Sequence, residues 1–299
     1  MTPRATGLVF ALTAVTIFSV QDGISKHLGT HYPPVFITMM RYWAFAAFAI
    51  LLAMRSAGGL RAAARTKRPF LQISRGVILA VQIVVAISAF ATVGLAQSQA
   101  IFQSAPLLVA LLSVPILGEQ VGWRRWTAIV VGFVGVLLIL KPETGGFDSM
   151  VLLPIAGAVI YSFYAITTRL ASRDDPAITS FFYTGVAGAA AITLAGPFYW
   201  TTFTPTDTLW MLALCATGMV GHYLLIRAFD LVDAVIVQSM SYIQLVLVTF
   251  IGVLIYGETL GFNMVVGSLI VVGAGLFTIY REARAGRTSQ APIEPPGEI

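Results

Sequence analysis

The sequence is short of charge. Its 299 residues hold 18 Lys plus Arg and 13 Asp plus Glu, so charged residues make up 10% of the chain, where a soluble domain carries about 25%. Hydrophobic residues reach 58%. That surplus excludes a water-soluble globule, which needs far more polar surface, and it excludes disorder, which needs the opposite composition. Cysteine is almost absent: Cys215 stands alone, so no disulfide framework can form. His27, His31 and His222 are the three histidines, and they make no metal-ligand spacing with it. No Gly-rich phosphate loop is present, so ATP is not expected as the direct energy source. No metal and no cofactor are expected.

Long apolar runs are what the sequence has in abundance. Crossing about 30 Å of hydrocarbon takes roughly 20 residues of helix. Breaks at Pro, Gly and charge clusters mark off ten such runs, at about 7–27, 34–54, 71–92, 97–117, 123–140, 151–170, 177–196, 208–227, 234–256 and 262–280. They are continuously apolar and do not alternate, which excludes a transmembrane β-barrel. The first is too long for the core of a cleaved signal peptide. The expected fold class is an all-α polytopic membrane protein with ten transmembrane helices.

Lys and Arg set the orientation. With the N-terminus inside, the inner loops take Arg4, Arg55, Arg61, Arg65, Lys67, Arg68, Arg75, Arg124, Arg125, Arg169, Arg173, Arg227, Arg281, Arg284 and Arg287. The outer side takes only Lys26 and Lys141, and Arg41 falls inside a run. Both termini are therefore expected in the cytoplasm, and the basic loop at 55–68 faces anionic headgroups with no nucleic acid involved. Residues 282–299 read as a disordered cytoplasmic tail rich in Pro and acidic side chains. Trp123 and Trp126 on the inner face, with Tyr199, Trp200 and Trp210 on the outer, suit interfacial anchors.

An internal repeat emerges on comparing the chain with itself. Gly118, Glu119 and Gly122 recur as Gly257, Glu258 and Gly261, each 139 positions later. Ser19 and Lys26 match Ser162 and Arg169 at an offset of 143, and Pro34 matches Pro176 at 142. Residues 1–145 and 146–281 thus form two five-helix units. An odd number of spans makes the second unit enter from the opposite side, an inverted repeat of the kind used by secondary transporters.

The segments Ala-Pro-Leu-Leu-Val-Ala-Leu-Leu-Ser-Val-Pro-Ile-Leu-Gly-Glu at 105–119 and Tyr-Ile-Gln-Leu-Val-Leu-Val-Thr-Phe-Ile-Gly-Val-Leu-Ile-Tyr-Gly-Glu at 242–258 resemble the signature of the drug/metabolite transporter superfamily, EamA-type branch. The resemblance covers about 7–281, and the chain looks most like the YddG-type exporters of aromatic and other amino acids. It implies ten helices in two inverted units, a bacterial inner-membrane location, and export of amino acids or related small metabolites. The second copy departs from the first by carrying Leu245 where Pro106 stands.

Charge inside hydrocarbon costs about 2.5–3.5 kcal/mol or more, so each such group needs a partner or a wet cavity. Asp22 and Lys26 share one helix face by their i,i+4 spacing, and Arg41 falls at a similar depth in the next run. These three are candidates for a gate or a proton-coupling site, with Asp22 exchanging between Lys26 and Arg41. A static ion triad fixing how two helices pack explains the same pattern. Glu119 and Glu258 sit between helices, where a carboxylate can accept from free helix N–H groups, so they are expected as caps.

Neutral polar and aromatic residues near the midplane form the expected substrate cavity: Gln82, Gln99, Gln103, Tyr161, Tyr164, His222, Gln238 and Tyr242, with Tyr223 and Gln244 nearby. Such a lining suits a zwitterionic, partly apolar solute, although each residue alone also suits an interhelical hydrogen bond. Pro106 and Pro115 interrupt the fourth run and are the expected hinge. Gly132, Gly135, Gly267, Gly273 and Gly275 allow close helix approach, and Gly185 and Gly188 are expected to loosen the seventh run.

A transporter moving a small molecule by alternating access is the reading these features favour. Other metabolites or drugs on the same fold, such as nucleosides and cationic drugs, form the alternative, with a channel or scaffold behind them. An intramembrane enzyme is disfavoured because Asp22 is the only acid well inside a run. Nothing in the sequence sets the oligomeric state.

Overall fold

The computed structural model describes residues 2–56, 58–118, 122–140, 149–232, 237 and 239–289; for 4, 125, 226, 229, 230 and 282–289 it describes the backbone alone. Glu119, Lys141 and Gln238 lie outside the described residues. Among those described, every regular element is helical. In chain order these are α1 (Pro3–His31), α2 (Pro34–Arg55), a short α3 (Gly59–Ala63), α4 (Pro69–Thr92), α5 (Leu95–Phe102), α6 (Ala105–Leu117) and α7 (Trp123–Leu140). Then follow α8 (Leu152–Ala171), α9 (Ala177–Ala195), α10 (Pro205–Leu231), α11 (Ser241–Tyr256) and α12 (Phe262–Ser289). Eight helical segments are long and apolar enough to cross a bilayer, with Trp126–Leu140 and Ser241–Tyr256 as shorter apolar helices beside them. The chain is a polytopic helical membrane protein.

Proline and glycine punctuate these helices for identifiable reasons. Proline sits in the first turn of α1, α2, α4, α6 and α10, where a missing N–H costs nothing and the fixed φ suits the helix. Gly118 and Gly257 end α6 and α11 in the left-handed region at φ +71° and +64°, a conformation that an L side chain resists. After Gly257 the N–H of Glu258 donates back to the Gly252 carbonyl at 3.0 Å. The Gly257-Glu258 pair is therefore a helix stop followed by a carboxylate.

The fourth expected span is two helices. Gln103 and Ser104 leave the helical path between α5 and α6. Pro106 lies in the first turn of α6, so it begins a helix and does not kink one, while Pro115 is internal to α6. On the ninth span the described helix α11 starts only at Ser241, after a turn at Met240. The two breaks are joined, because Gln103 Nε2 donates to the Ser241 carbonyl at 2.8 Å.

The largest helix contacts all cross between the segment before residue 145 and the one after it: α1 with α10, α7 with α12, α4 with α9 and α8, and α2 with α9. Neither half has a core of its own. Buried clusters say the same, as Ile24, Leu28, Ile37 and Ile87 pack against Met211 and Leu214, and Phe36, Met39 and Tyr42 against Ile192. At the α7–α12 seam a Cβ on Gly135 would come 2.8 Å from the Gly267 carbonyl oxygen, so backbone meets backbone there.

Several sequence expectations change. Gly188 accommodates the Tyr42 ring and Gly185 meets Ala49, so these glycines pack α9 tightly against α2 and do not loosen it. Arg75 is no loop cation: it lies inside α4 and is 2% exposed. The helix α12 is described as far as Ser289, and residues 290–299 of the expected tail lie outside the described residues.

Candidate functional site

Where α2, α4 and α10 converge, the structure has a small, partly open cavity of about 30 Å³, room for about two waters. Its walls are Arg41, Tyr42 and Phe45 of α2, Leu79 and Ile83 of α4, and Cys215, Gly218, Met219 and His222 of α10. Gly218 leaves the space: a Cβ there would stand 3.3 Å from Gln21 Oε1 and 3.9 Å from Arg41 Nε. Among the described residues, no hydrogen bond or direct ion pair engages the Arg41 guanidinium. Its electrostatic counterpart is Asp22 of α1, whose Oδ2 accepts from Gln244 Nε2 at 2.8 Å. Two further buried polar atoms have no partner, Gln21 Oε1 and the Tyr42 hydroxyl. His222 Nδ1 lies 2.8 Å from the Gly218 carbonyl; a carbonyl only accepts, so that nitrogen carries the hydrogen. The imidazole packs edge-on to Phe18 at 5.2 Å and near Phe45 at 5.5 Å.

Lys26 does not join this group. It pairs with Glu258 and sits over the Tyr256 ring at 4.5 Å. The same carboxylate accepts from the backbone N–H groups of Leu95 at 2.6 Å and Ala96 at 2.8 Å. Glu258 thus caps the first turn of α5, a helix of the other half, where the free N–H groups carry partial positive charge. Gly94 has φ +110°, and a Cβ there would crowd the carboxylate at 3.2 Å. In this conformation the charges expected as one group lie in two separate arrangements, Lys26 with Glu258 and Asp22 with Gln244.

Two acid-centred clusters tie helix ends together. At the α1/α10 end, Asp207 Oδ1 faces His27 Nε2 at 2.8 Å, and Oδ2 accepts from the Tyr32 and Thr204 hydroxyls at 2.8 and 2.7 Å. At the α4/α8–α9 end, Asp175 Oδ2 accepts from Thr66 Oγ1 at 2.5 Å and Gln72 Nε2 at 2.8 Å, and Oδ1 from the Lys67 N–H at 3.1 Å. Burial pushes the Asp175 carboxyl up, but the donors Gln72, Thr66 and Lys67 outweigh it and hold the group below its ordinary value. Arg75 extends this cluster, donating to Gln72 Oε1 at 2.5 Å and Thr168 Oγ1 at 3.0 Å. The two clusters use matching positions. Tyr32 and Asp175 are 143 apart and Thr66 and Asp207 are 141 apart, close to the offsets of the repeat, with the acid on the second-half member each time.

Of the eight expected cavity residues, His222 lines this cavity. Gln103 spans the two helix breaks, and Gln99 is buried in α5. Gln82 is half-buried on α4. Tyr161 is 43% exposed, with its ring 6.1 Å from that of Tyr164, and Tyr164 stacks with Arg75 at 5.5 Å. Tyr242 is buried with its hydroxyl against Gly275 of α12, so it packs two helices together outside the cavity. The sequence reading missed Gln21, Tyr42, Phe45, Cys215, Asp175 and Asp207. Asp207 carries a signal, since Thr204 three residues earlier is the N-cap of α10 and the pair forms a capping pattern. The apolar wall residues carry none.

The EamA-like transporter family matches residues 5–141 and 148–280. The chain is 26% identical to the S-adenosylmethionine uptake transporter of Rickettsia prowazekii over 93% of this chain and 94% of that protein. It is 25% identical to the riboflavin transporter of Vibrio cholerae over 94% and 95%, and 28% identical to the pseudopaline exporter CntI of Pseudomonas aeruginosa over 90% and 94%. A solved crystal structure superposes on 97% of this chain and 99% of its own at 19% identity with a TM-score of 0.61, a likeness of fold. With matches over nearly the whole helical part, the chain belongs to the EamA-like transporter family.

Proposed function

We propose that this protein is an alternating-access secondary transporter of the bacterial inner membrane that moves amino acids or amino-acid-bearing metabolites. Ten spans form two inverted five-helix units with both termini in the cytoplasm, so the Asp207 cluster faces outward and the Asp175 cluster inward. The observation that carries the reading is this pair of clusters, built at repeat-related positions and flanking one charged cavity. With both formed, the conformation is occluded, and opening either one exposes the cavity to one side. Inverted units supply two such states of similar energy.

Export is the direction that the resemblance to amino-acid exporters implies. The relatives include both uptake transporters and an exporter, which suits a fold whose direction follows the prevailing gradients. The S-adenosylmethionine transporters favour a solute with an amino-acid moiety, because that molecule carries one. Asp22, Arg41 and His222 belong to the moving centre, and the break before Pro106 is the hinge. Counterflow in proteoliposomes tests the reading without depending on direction. Vesicles loaded with unlabelled amino acids should accumulate the matching labelled amino acid transiently, and the Arg41→Gln variant should fall at least tenfold. A flux that rises linearly with concentration without saturating would overturn alternating access.

A further inference from the structure

The geometry points to a zwitterion-binding site at Arg41, in which the guanidinium and the Tyr42 hydroxyl receive a substrate carboxylate, and Gln21 Oε1 with Asp22 receives its ammonium. The inference rests on the transport reading and names what the cavity recognises. Two buried polar atoms near Gly218 are left without hydrogen-bond partners among the described residues, and the Arg41 guanidinium adjoins them. The Arg41 guanidinium has no direct ion pair among the described residues. The Tyr42 hydroxyl is unbonded on a residue 2% exposed, and Gln21 Oε1 is unbonded on a residue 5% exposed. Buried polar atoms are seldom left this way, because each loses its hydration for nothing. Arg41 and Tyr42 are residues that line the cavity, and Gln21 Oε1 is an acceptor beside Gly218.

Donors and acceptors are sorted in space. Arg41 and Tyr42 project from α2 and offer up to six N–H and O–H hydrogens between them. Gln21 and Asp22 come from α1 and can only accept through the atoms concerned. Gln244 holds one oxygen of Asp22 at 2.8 Å, which orients the carboxylate and leaves the second oxygen to a ligand. A carboxylate on one carbon and an ammonium on the same carbon match this pairing. Apart from Cys215 and the His222 imidazole, the rest of the wall is apolar, with Phe45, Leu79, Ile83 and Met219, and carries no further charged side chain, so the side chain it accepts is neutral. The present volume of about 30 Å³ fits the two charged groups and no side chain. Loading therefore requires the cavity to widen between α10 and α2. Cys215 lines the same cavity, so a bound solute shields its thiol.

The test uses the full-length protein in detergent and the rate of Cys215 alkylation by N-ethylmaleimide, the only thiol reaction available. Each of the twenty amino acids is added in turn. The neutral apolar or aromatic ones are expected to protect Cys215. For the best protector, the amine lacking the carboxylate and the acid lacking the ammonium should each need at least tenfold higher concentration. Arg41→Gln should abolish protection while Arg41→Lys keeps part of it, and Asp22→Asn should weaken the amino acid without changing the deaminated acid. An acid or an amine that protects as well as the parent amino acid would overturn the assignment, and this comparison needs no variant. If no amino acid protects while a different solute shows counterflow, the zwitterion site is wrong and the transporter stands. If no solute of any class shows counterflow, the transport reading itself fails.

Discussion

Glu258 shows how one side chain can tie two halves of a chain together. It takes part in an ion pair with Lys26 and accepts two N–H bonds at the start of α5. Both charged side chains are shielded, with relative exposures of 12% and 14%, so removing one partner strands the other. Glu258→Ala is expected to lose about 3 kcal/mol of stability, seen as a lower thermal midpoint. Lys26→Met combined with Glu258→Ala should recover part of that loss, since the stranded charge is gone. Additive effects of the two changes would show that the pair contributes nothing jointly. Asp175 makes a related prediction in pH. Its carboxyl is held below the usual range by three donors that outweigh burial, so its contribution is full above the unfolded value of about 3.9 and is lost as pH falls through the native value. The midpoint difference between the wild type and Asp175→Asn should stay constant from about pH 8 to pH 5 and shrink below about pH 4. A difference that grows on acidification would contradict the hydrogen-bond arrangement.

At the level of the helices, close approach is decided by where backbone meets backbone. Gly267 of α12 contacts the Gly135 carbonyl oxygen with 2.5 Å to an added Cβ, whereas an added Cβ on Gly273 meets nothing within 4 Å. Gly267→Ala should destabilise by about 1–3 kcal/mol through overpacking, while Gly273→Ala is neutral or stabilising by up to about 1 kcal/mol through helix propensity. Thermal unfolding of the two variants in detergent distinguishes these outcomes, and equal losses would place the α7–α12 seam elsewhere. The broken fourth span is also an effect at this scale. The motif Ala105-Pro106 marks where a helix starts, and α11 begins after a turn without any proline at Leu245. What the two breaks have in common is the Gln103 bond to the Ser241 carbonyl, a contact that no local pattern announces.

For the molecule as a whole, the alternating-access reading we propose makes closure of one end and opening of the other a single motion. Asp175 and Asp207 hold opposite ends, so weakening them should bias the protein in opposite directions. In inverted vesicles and intact cells, a membrane-impermeant maleimide reports which side reaches Cys215. Asp207→Asn is expected to raise labelling from outside severalfold, and Asp175→Asn to raise it from inside. The same direction of change in both variants would show that the clusters are structural ties with no part in gating.

Composition and periodicity were enough to establish a helical membrane protein, its repeat offset and the position of most helices, because bilayer insertion imposes length and apolarity on each segment separately. The second Gly-Glu pair also disclosed its capping chemistry, since a left-handed glycine followed by a carboxylate is a local device; Glu119 of the first pair lies outside the described residues. Which helix Glu258 caps, and which partner Lys26 and Asp22 each select, depended on how the halves interleave. The i,i+4 spacing of Asp22 and Lys26 places them on one face but says nothing about what stands opposite. Polar residues such as Gln103 and Tyr242 could be identified as buried, but not assigned to a cavity or to a helix seam. Tertiary structure made that decision, because a pocket is a shape left between elements, and here Gly218 and apolar side chains from three helices define it without any sequence mark of their own.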